Sequence, residues 1–379
     1  MSTSAATIID TINIDTTIID TINITATKKP SGFLSLEEFV LSTAVIGSLA
    51  GFLNLCGLVS NLVNMRTFIR MGVTKDPMTL AFFLLSISDM GVSCSSLVMW
   101  VSLYVYCFEM TEMFKFFRYA PTSANRNGPV VYSEVDPIGV SIFAFNVITV
   151  FNVTTVLITV YLAVVRFLCV ARPLHFRSII STRRTLAAIL FFFLLSIMTR
   201  IPVLAHMGMP VTFDPVFKVY RPALWLHPNR ENIKNIMWTI FDMGLTTGAQ
   251  VVLSVCVVLM ARKLRAANEF RNSASVASKP GVGDDSVSST PTPNLNNKDA
   301  RIIQQLVLIS SIFIVCNIPR LTRNFSTLIA PEFDIGGRYQ PLYYVTGSVT
   351  NVFDAVNSSV NVFVYYTYNS KFRQLCSFF

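Results

Sequence analysis

Among the ionisable side chains inside long apolar runs are Asp89 in LLSISDMG, Arg166 in AVVRFLCV, Asp242 in TIFDMGLT, Arg320 in FIVCNIPR and Asp354 in NVFDAVNS. Runs of about 20 apolar residues are of membrane-spanning length. A charge at bilayer depth costs roughly 2.5–3.5 kcal/mol on insertion scales, so it faces the interior of a bundle, pairs, or recognises something. Catalysis is not what these types assemble. There are three histidines, all outside the apolar runs or at their edges, and no Ser-His-Asp set, glycine-rich phosphate loop or zinc spacing is present. No enzyme is expected.

A second set is polar without charge. Asn61 follows Gly57 by four residues in the first apolar run, and NSSVNVFVYY in the last carries Asn357, Ser358, Asn361 and Tyr365. Positions 357, 361 and 365 are four apart and so share one stripe of a helix. With Asp89 they could form a hydrated polar core. A carboxylate with several oxygen neighbours suits a hard cation, and Asp89, Asn357 and Asn361 are the candidate sodium ligands. No other cofactor is expected. A polar packing network without an ion is the alternative.

The elements that must position these residues follow from composition. Hydrophobic residues make up 52% of the chain and charged residues 13%, and the mean hydropathy is +0.55, too apolar for a soluble chain of 379 residues. Seven spans can be drawn, at 39–66, 77–104, 136–169, 184–206, 234–262, 300–329 and 341–367. The expected fold is an all-α membrane protein, a seven-transmembrane helix bundle over 39–367.

The net charge of +9 is informative through its distribution. With the N-terminus outside, the cytoplasmic segments hold 17 lysines and arginines against five acids, while the outer segments balance. Short loops rich in Lys and Arg stay cytoplasmic. Residues 1–38 are therefore read as an extracellular tail. It carries a tandem decapeptide, TIIDTINIDT and TIIDTINITA, and a glycosylation sequon at Asn23. No basic n-region with an apolar h-region precedes span 1, which is expected to act as an uncleaved signal. The connection 264–298, rich in Ser, Pro, Gly and Asn, lacks the apolar surface to fold and is read as a disordered third cytoplasmic loop, either offering kinase sites or serving as a plain linker. Residues 368–379 hold a short amphipathic helix along the inner leaflet and a cytoplasmic tail, with Cys376 a candidate for palmitoylation.

These motifs occur in a familiar order. Val165-Arg166-Phe167 with Pro173-Leu174 seven residues after the arginine resembles the Asp-Arg-Tyr and Pro-Leu elements ending helix 3 of rhodopsin-like (class A) G protein-coupled receptors. Asn61, Asp89, the Phe313…Cys316-Asn317…Pro319 element and Asn361-Val362-Phe363-Val364-Tyr365 resemble the family's motifs in helices 1, 2, 6 and 7. The chain departs from it at Val165, Asn317 and Val362. It also has Ser141 where most members carry the outer cysteine of helix 3, and no cysteine over 207–233, so the usual disulfide between those elements cannot form.

The resemblance implies a plasma-membrane receptor that binds an extracellular ligand and activates a heterotrimeric G protein through its cytoplasmic face, with kinases and arrestin as further partners through 264–298. Nucleic acid is not an expected partner. Coupling and switching fall to Arg166, Asp299, Phe313, Pro319 and Tyr365, and the polar core to Asn61, Asp89, Asn357, Ser358 and Asn361. The ligand pocket is placed among Ile148, Thr149, Asn152, Asp242, Asn317, Arg320 and Asp354, where Arg320 could instead pair structurally with either aspartate. Asp299 lies twenty residues before Pro319, about 30 Å along a helix. That places it opposite Arg166, as a restraining partner or a helix cap. Ile148 replaces the aspartate of aminergic receptors, and 341–367 contains no retinal-bearing lysine. The spelling is most similar to invertebrate peptide-type or chemosensory receptors. A non-signalling decoy and a seven-helix channel or transporter are the rival readings.

Overall fold

The computed structural model describes residues 36–119, 132–171, 180–214, 217–277, 297–330, 332–333 and 338–376. Seven long helical rods run through it: α1 (Leu36–Met71), α2 (Pro77–Tyr119), α3 (Pro137–Ala171), α4 (Thr182–Met198), α5, α6 (Asn297–Ile329) and α7 (Gln340–Tyr368). Rod α5 is one continuous helix in three parts, an α-helix Arg230–Met237, a π-helical stretch Trp238–Leu245 and an α-helix Thr246–Ala277. Six rods are long and apolar enough to cross a membrane by length and composition. The seventh, α7, has 29 residues but a more polar sequence, because Asp354, Asn357, Ser358 and Asn361 interrupt it. Its place is settled by packing: α7 lies between α1 and α6, and the order α1–α2–α3–α5–α6–α7 closes into a ring with α4 outside α2 and α3.

Packing is inverted relative to a water-soluble protein. Along α1 the residues Leu41, Val45, Leu49, Phe52, Leu55, Val59 and Leu62 are exposed, at helical spacing of three and four, whereas Asn54, Asn61 and Asn64 are buried. An apolar stripe of that length fits a lipid face, and the buried amides fit an interior that must satisfy its own polar groups. Pro319 sits inside α6 and removes one helical donor there. From the neighbouring rod, Gln250 donates to the Ile314 carbonyl at 3.0 Å, one residue from the carbonyl that Pro319 leaves open.

At the inner end, Asn369 caps the helix α8 (Ser370–Leu375), accepting from the Phe372 amide at 3.0 Å. Phe372 is fully buried, Lys371 donates to the Met71 carbonyl and Arg70 to the Leu375 carbonyl, so α8 is fastened to the end of α1. This is the amphipathic helix expected from the sequence.

Two features depart from expectation. Helix α5 runs to Ala277 and α6 starts at Asn297, so the cytoplasmic connection read as beginning at 264 is helical over its first part; residues 278–296 lie outside the described residues. The second outer loop, read only as lacking cysteine, folds into two nested antiparallel ladders. Strands β1 (Met207–Gly208) and β4 (Trp225–Leu226) pair, and β2 (Val211–Asp214) pairs with β3 (Val219–Pro222). Lys218 at the tip adopts φ of 56°, a left-handed turn conformation.

Candidate functional site: a polar column through the bundle

At mid-depth, Asp89 of α2 is 1% exposed. One of its oxygens accepts from Asn361 Nδ2 of α7 at 2.8 Å, and the other lies 3.0 Å from Thr155 Oγ1 of α3. One carboxylate therefore ties three helices. Ser88 extends the cluster, 3.0 Å from Thr155 and donating to the Phe151 carbonyl. Asn61 donates to the Ser358 carbonyl at 2.9 Å, and the Ser358 and Ser93 hydroxyls meet at 2.8 Å, joining α1, α2 and α7. This junction needs a glycine: a Cβ on Gly57 would lie 2.7 Å from Ser93 Oγ and 2.9 Å from Ser359 Oγ.

The structure thus brings Asn361 to Asp89 and Asn61 to Ser358. Asn357 does not join them: it is half-buried, and its side chain makes no hydrogen bond to Asp89. Thr155, which the sequence reading did not single out, stands beside Asp89 in place of Asn357. The signal was present, since 148, 152, 155 and 159 follow one face of α3 at helical spacing.

Above this core two ion pairs cross the outer half of the bundle. Arg320 of α6 pairs with Asp354 of α7, with side chains 17% and 11% exposed. Asp242 of α5 pairs with Arg200, just beyond α4, rather than with Arg320. Asp242 lies within the π-helical stretch, where the wider turn changes the direction in which a side chain leaves the rod. Arg200 and the nearby Arg323 fall inside the predicted spans and are charged, so the criterion that singled out Arg320 also applies to them.

The remaining pocket candidates divide. Asn152 is half-buried. Thr149 and Asn317 are buried and bond back to their own helices, to Phe145 and Phe313 carbonyls at 2.9 and 2.8 Å. Ile148 belongs to an apolar cluster with Val92, Met99, Trp100 and Ala144, and is a packing residue between α2 and α3.

Towards the end of the bundle that carries α8, Phe313 packs with Val156, Leu253 and Met260 between α3, α5 and α6. Tyr365 is fully buried in a cage of Phe68, Phe82 and Phe372, with ring centroids at 5.1, 5.1 and 5.6 Å. Its hydroxyl has no hydrogen-bond partner among the described residues. Val165 packs in the inner apolar cluster. The side chain of Asp299 lies outside the described residues, as does Asn23. Cys376 is 5% exposed against the inner cluster, so its acylation requires the end of α8 to lift. Asn324, in the sequon Asn324-Phe325-Ser326, is 1% exposed and closed to glycosylation.

All seven cysteines are free. The outer hairpin is held instead by charge. Arg221 of β3, 7% exposed, bonds Asp214 at 2.9 Å, the Ser133 carbonyl at 3.2 Å and Glu109 of α2 at 3.4 Å, and lies 4.7 Å from the Phe217 ring centroid. Asp136 caps α3 by accepting from the Ile138 amide and also accepts from the Leu224 amide of the hairpin. None of these residues was singled out from the sequence, because each lies outside the predicted spans or at the very edge of one, where charge is ordinary.

A closed ring of long apolar helices around a polar column is the architecture of a multi-pass membrane protein. Residues 138–365 match the family model described as 7 transmembrane receptor (rhodopsin family). The match spans more than half of the chain, and the chain belongs to that family. A comparison with curated proteins found no match.

Proposed function

We propose that this protein is a plasma-membrane receptor, N-terminus outside, that binds an extracellular ligand among α3, α5, α6 and α7 and activates a heterotrimeric G protein at its cytoplasmic end. The observation that carries the reading is Asp89. By holding α2, α3 and α7 through one carboxylate, it links the helices of the outer pocket to Tyr365, about three helical turns from Asp354 along α7, so a ligand that shifts α7 changes the inner face. Asn152, Arg320 and Asp354 are the residues offered to ligand, and Asp89 with Asn361 offers oxygen ligands to a sodium ion. Kinases and arrestin would act on the 264–298 connection. A peptide or chemical cue is the ligand class that the sequence resemblance favours.

Arg166 is the inner contact for the G protein, restrained at rest by Asp299 of α6. The test is signalling in cells reporting calcium and cyclic AMP, normalised to surface density. Arg166→Ala should abolish ligand-driven responses, and Asp299→Ala should raise basal signalling about fivefold, the shift expected for loss of a pair contributing about 1 kcal/mol. Surface receptor that binds ligand but never signals, in wild type as in Arg166→Ala, would overturn coupling and leave a decoy.

A further inference from the structure

The charges of the outer pocket do not balance. Asp242 and Asp354 are each engaged by an arginine, Arg200 and Arg320. A third arginine, Arg323, stands one helical turn above Arg320, within Coulombic range of both aspartates and of Arg320, and makes no ion pair among the described residues. Its guanidinium carbon lies 5.5 Å from the Tyr343 ring centroid, and one nitrogen lies 3.0 Å from where a Cβ on Gly347 would stand. Tyr343 and Gly347 of α7 thus hold the guanidinium plane in place. The Nε atoms of Arg200 and Arg320 are also buried without a protein acceptor, although Arg200 is only 6% exposed. Among the described residues the pocket therefore has one positive charge in excess and unused donors, while both of its carboxylates are already paired.

We infer that the ligand presents an oxyanion, a carboxylate in the first instance, to Arg323. This rests on the reading of the outer bundle as the ligand pocket. A cationic ligand would have to displace a guanidinium from Asp354 or Asp242 before gaining a partner. An anionic ligand displaces nothing and neutralises a charge that is costly to desolvate alone. The planar, stacked guanidinium is pre-arranged to donate two parallel hydrogen bonds to a carboxylate. Gly347 is the position that leaves it room.

The experiment is thermal unfolding of the purified full-length receptor in detergent micelles, at constant ionic strength, with matched acid and amide probes. Benzoate is compared with benzamide, and N-acetyl-phenylalanine with its amide. In wild type the acids should raise the unfolding temperature by about 2 °C or more over the amides. Arg323→Gln should remove that difference, and Arg323→Lys should keep it, which controls for a folding defect. The larger response assigns the carboxylate to a peptide terminus if it comes from N-acetyl-phenylalanine, or to a small organic acid if it comes from benzoate. Equal shifts from acid and amide in wild type, or an acid preference that survives Arg323→Gln, would overturn the inference. The readout is binding alone, so acid selectivity without any cellular response would sink the coupling reading and leave this one standing. Cellular coupling with equal acid and amide shifts would do the reverse.

Discussion

Arg320 and Asp354 face each other across α6 and α7 with little water access. Removing one partner of a buried pair leaves an uncompensated charge and costs about 3 kcal/mol or more, whereas replacing both by apolar residues of similar volume is often neutral. Asp354→Leu should therefore lower the unfolding temperature and surface yield. The double variant Arg320→Met with Asp354→Leu should recover both while losing ligand potency. A double variant with normal potency would show that the pair serves only packing. Asp89 gives a second test at this scale. Agonist affinity, measured with sodium exchanged for a large organic cation at constant ionic strength, should change in wild type and not in Asp89→Asn. Sodium-independent affinity in both would remove the ion and leave the hydrogen bonds to Thr155 and Asn361 as the whole role of the carboxylate.

At the scale of elements, the outer hairpin is fixed to the bundle by hydrogen bonds and charge where the family usually has a disulfide. Glu109 is 1% exposed and Arg221 is its guanidinium partner, so Arg221→Ala strands a buried carboxylate. The expected loss is about 3 kcal/mol of stability, read as a lower unfolding temperature and weaker ligand binding. Because all seven cysteines are free, reducing agent should leave both properties of the wild type unchanged. A drop in binding on reduction would reveal a disulfide and refute the clasp. The hairpin was illegible beforehand for a physical reason: its strands have two to four residues each, too short for an alternating pattern. The π-helical stretch was equally hidden, since nothing in WTIFDMGL marks a change of helical repeat.

For the whole molecule, orientation is the property that every site assignment assumes. On the proposed orientation, with the basic loops inside and the N-terminus outside, Asn23 should carry a glycan. Asn23→Gln should then migrate faster on a gel and resist further shift on N-glycosidase treatment. An unchanged band in surface-exposed protein would count against an outside, modified tail. The stripe of exposed apolar residues on α1 and the buried amides behind it set the same expectation for the medium: lipid outside, a hydrated polar interior within.

The seven-helix fold, and the polar residues that interrupt its apolar runs, were legible in the sequence alone. Their signals are local: apolar length, and polar residues repeating every four positions. Asn61, Asp89, Ser358, Asn361 and Tyr365 could be picked out because each violates the apolar pattern around it. Which of them meet was decided only in three dimensions. Asp89 could have taken Asn357 as readily as Asn361 or Thr155 by spacing, and Asp242 could have taken Arg320 as readily as Arg200. The rotation of each helix about its axis selects among such partners, and that rotation is set by packing contacts from several helices at once, down to the absence of a Cβ on Gly57. No single stretch of the chain contains that information.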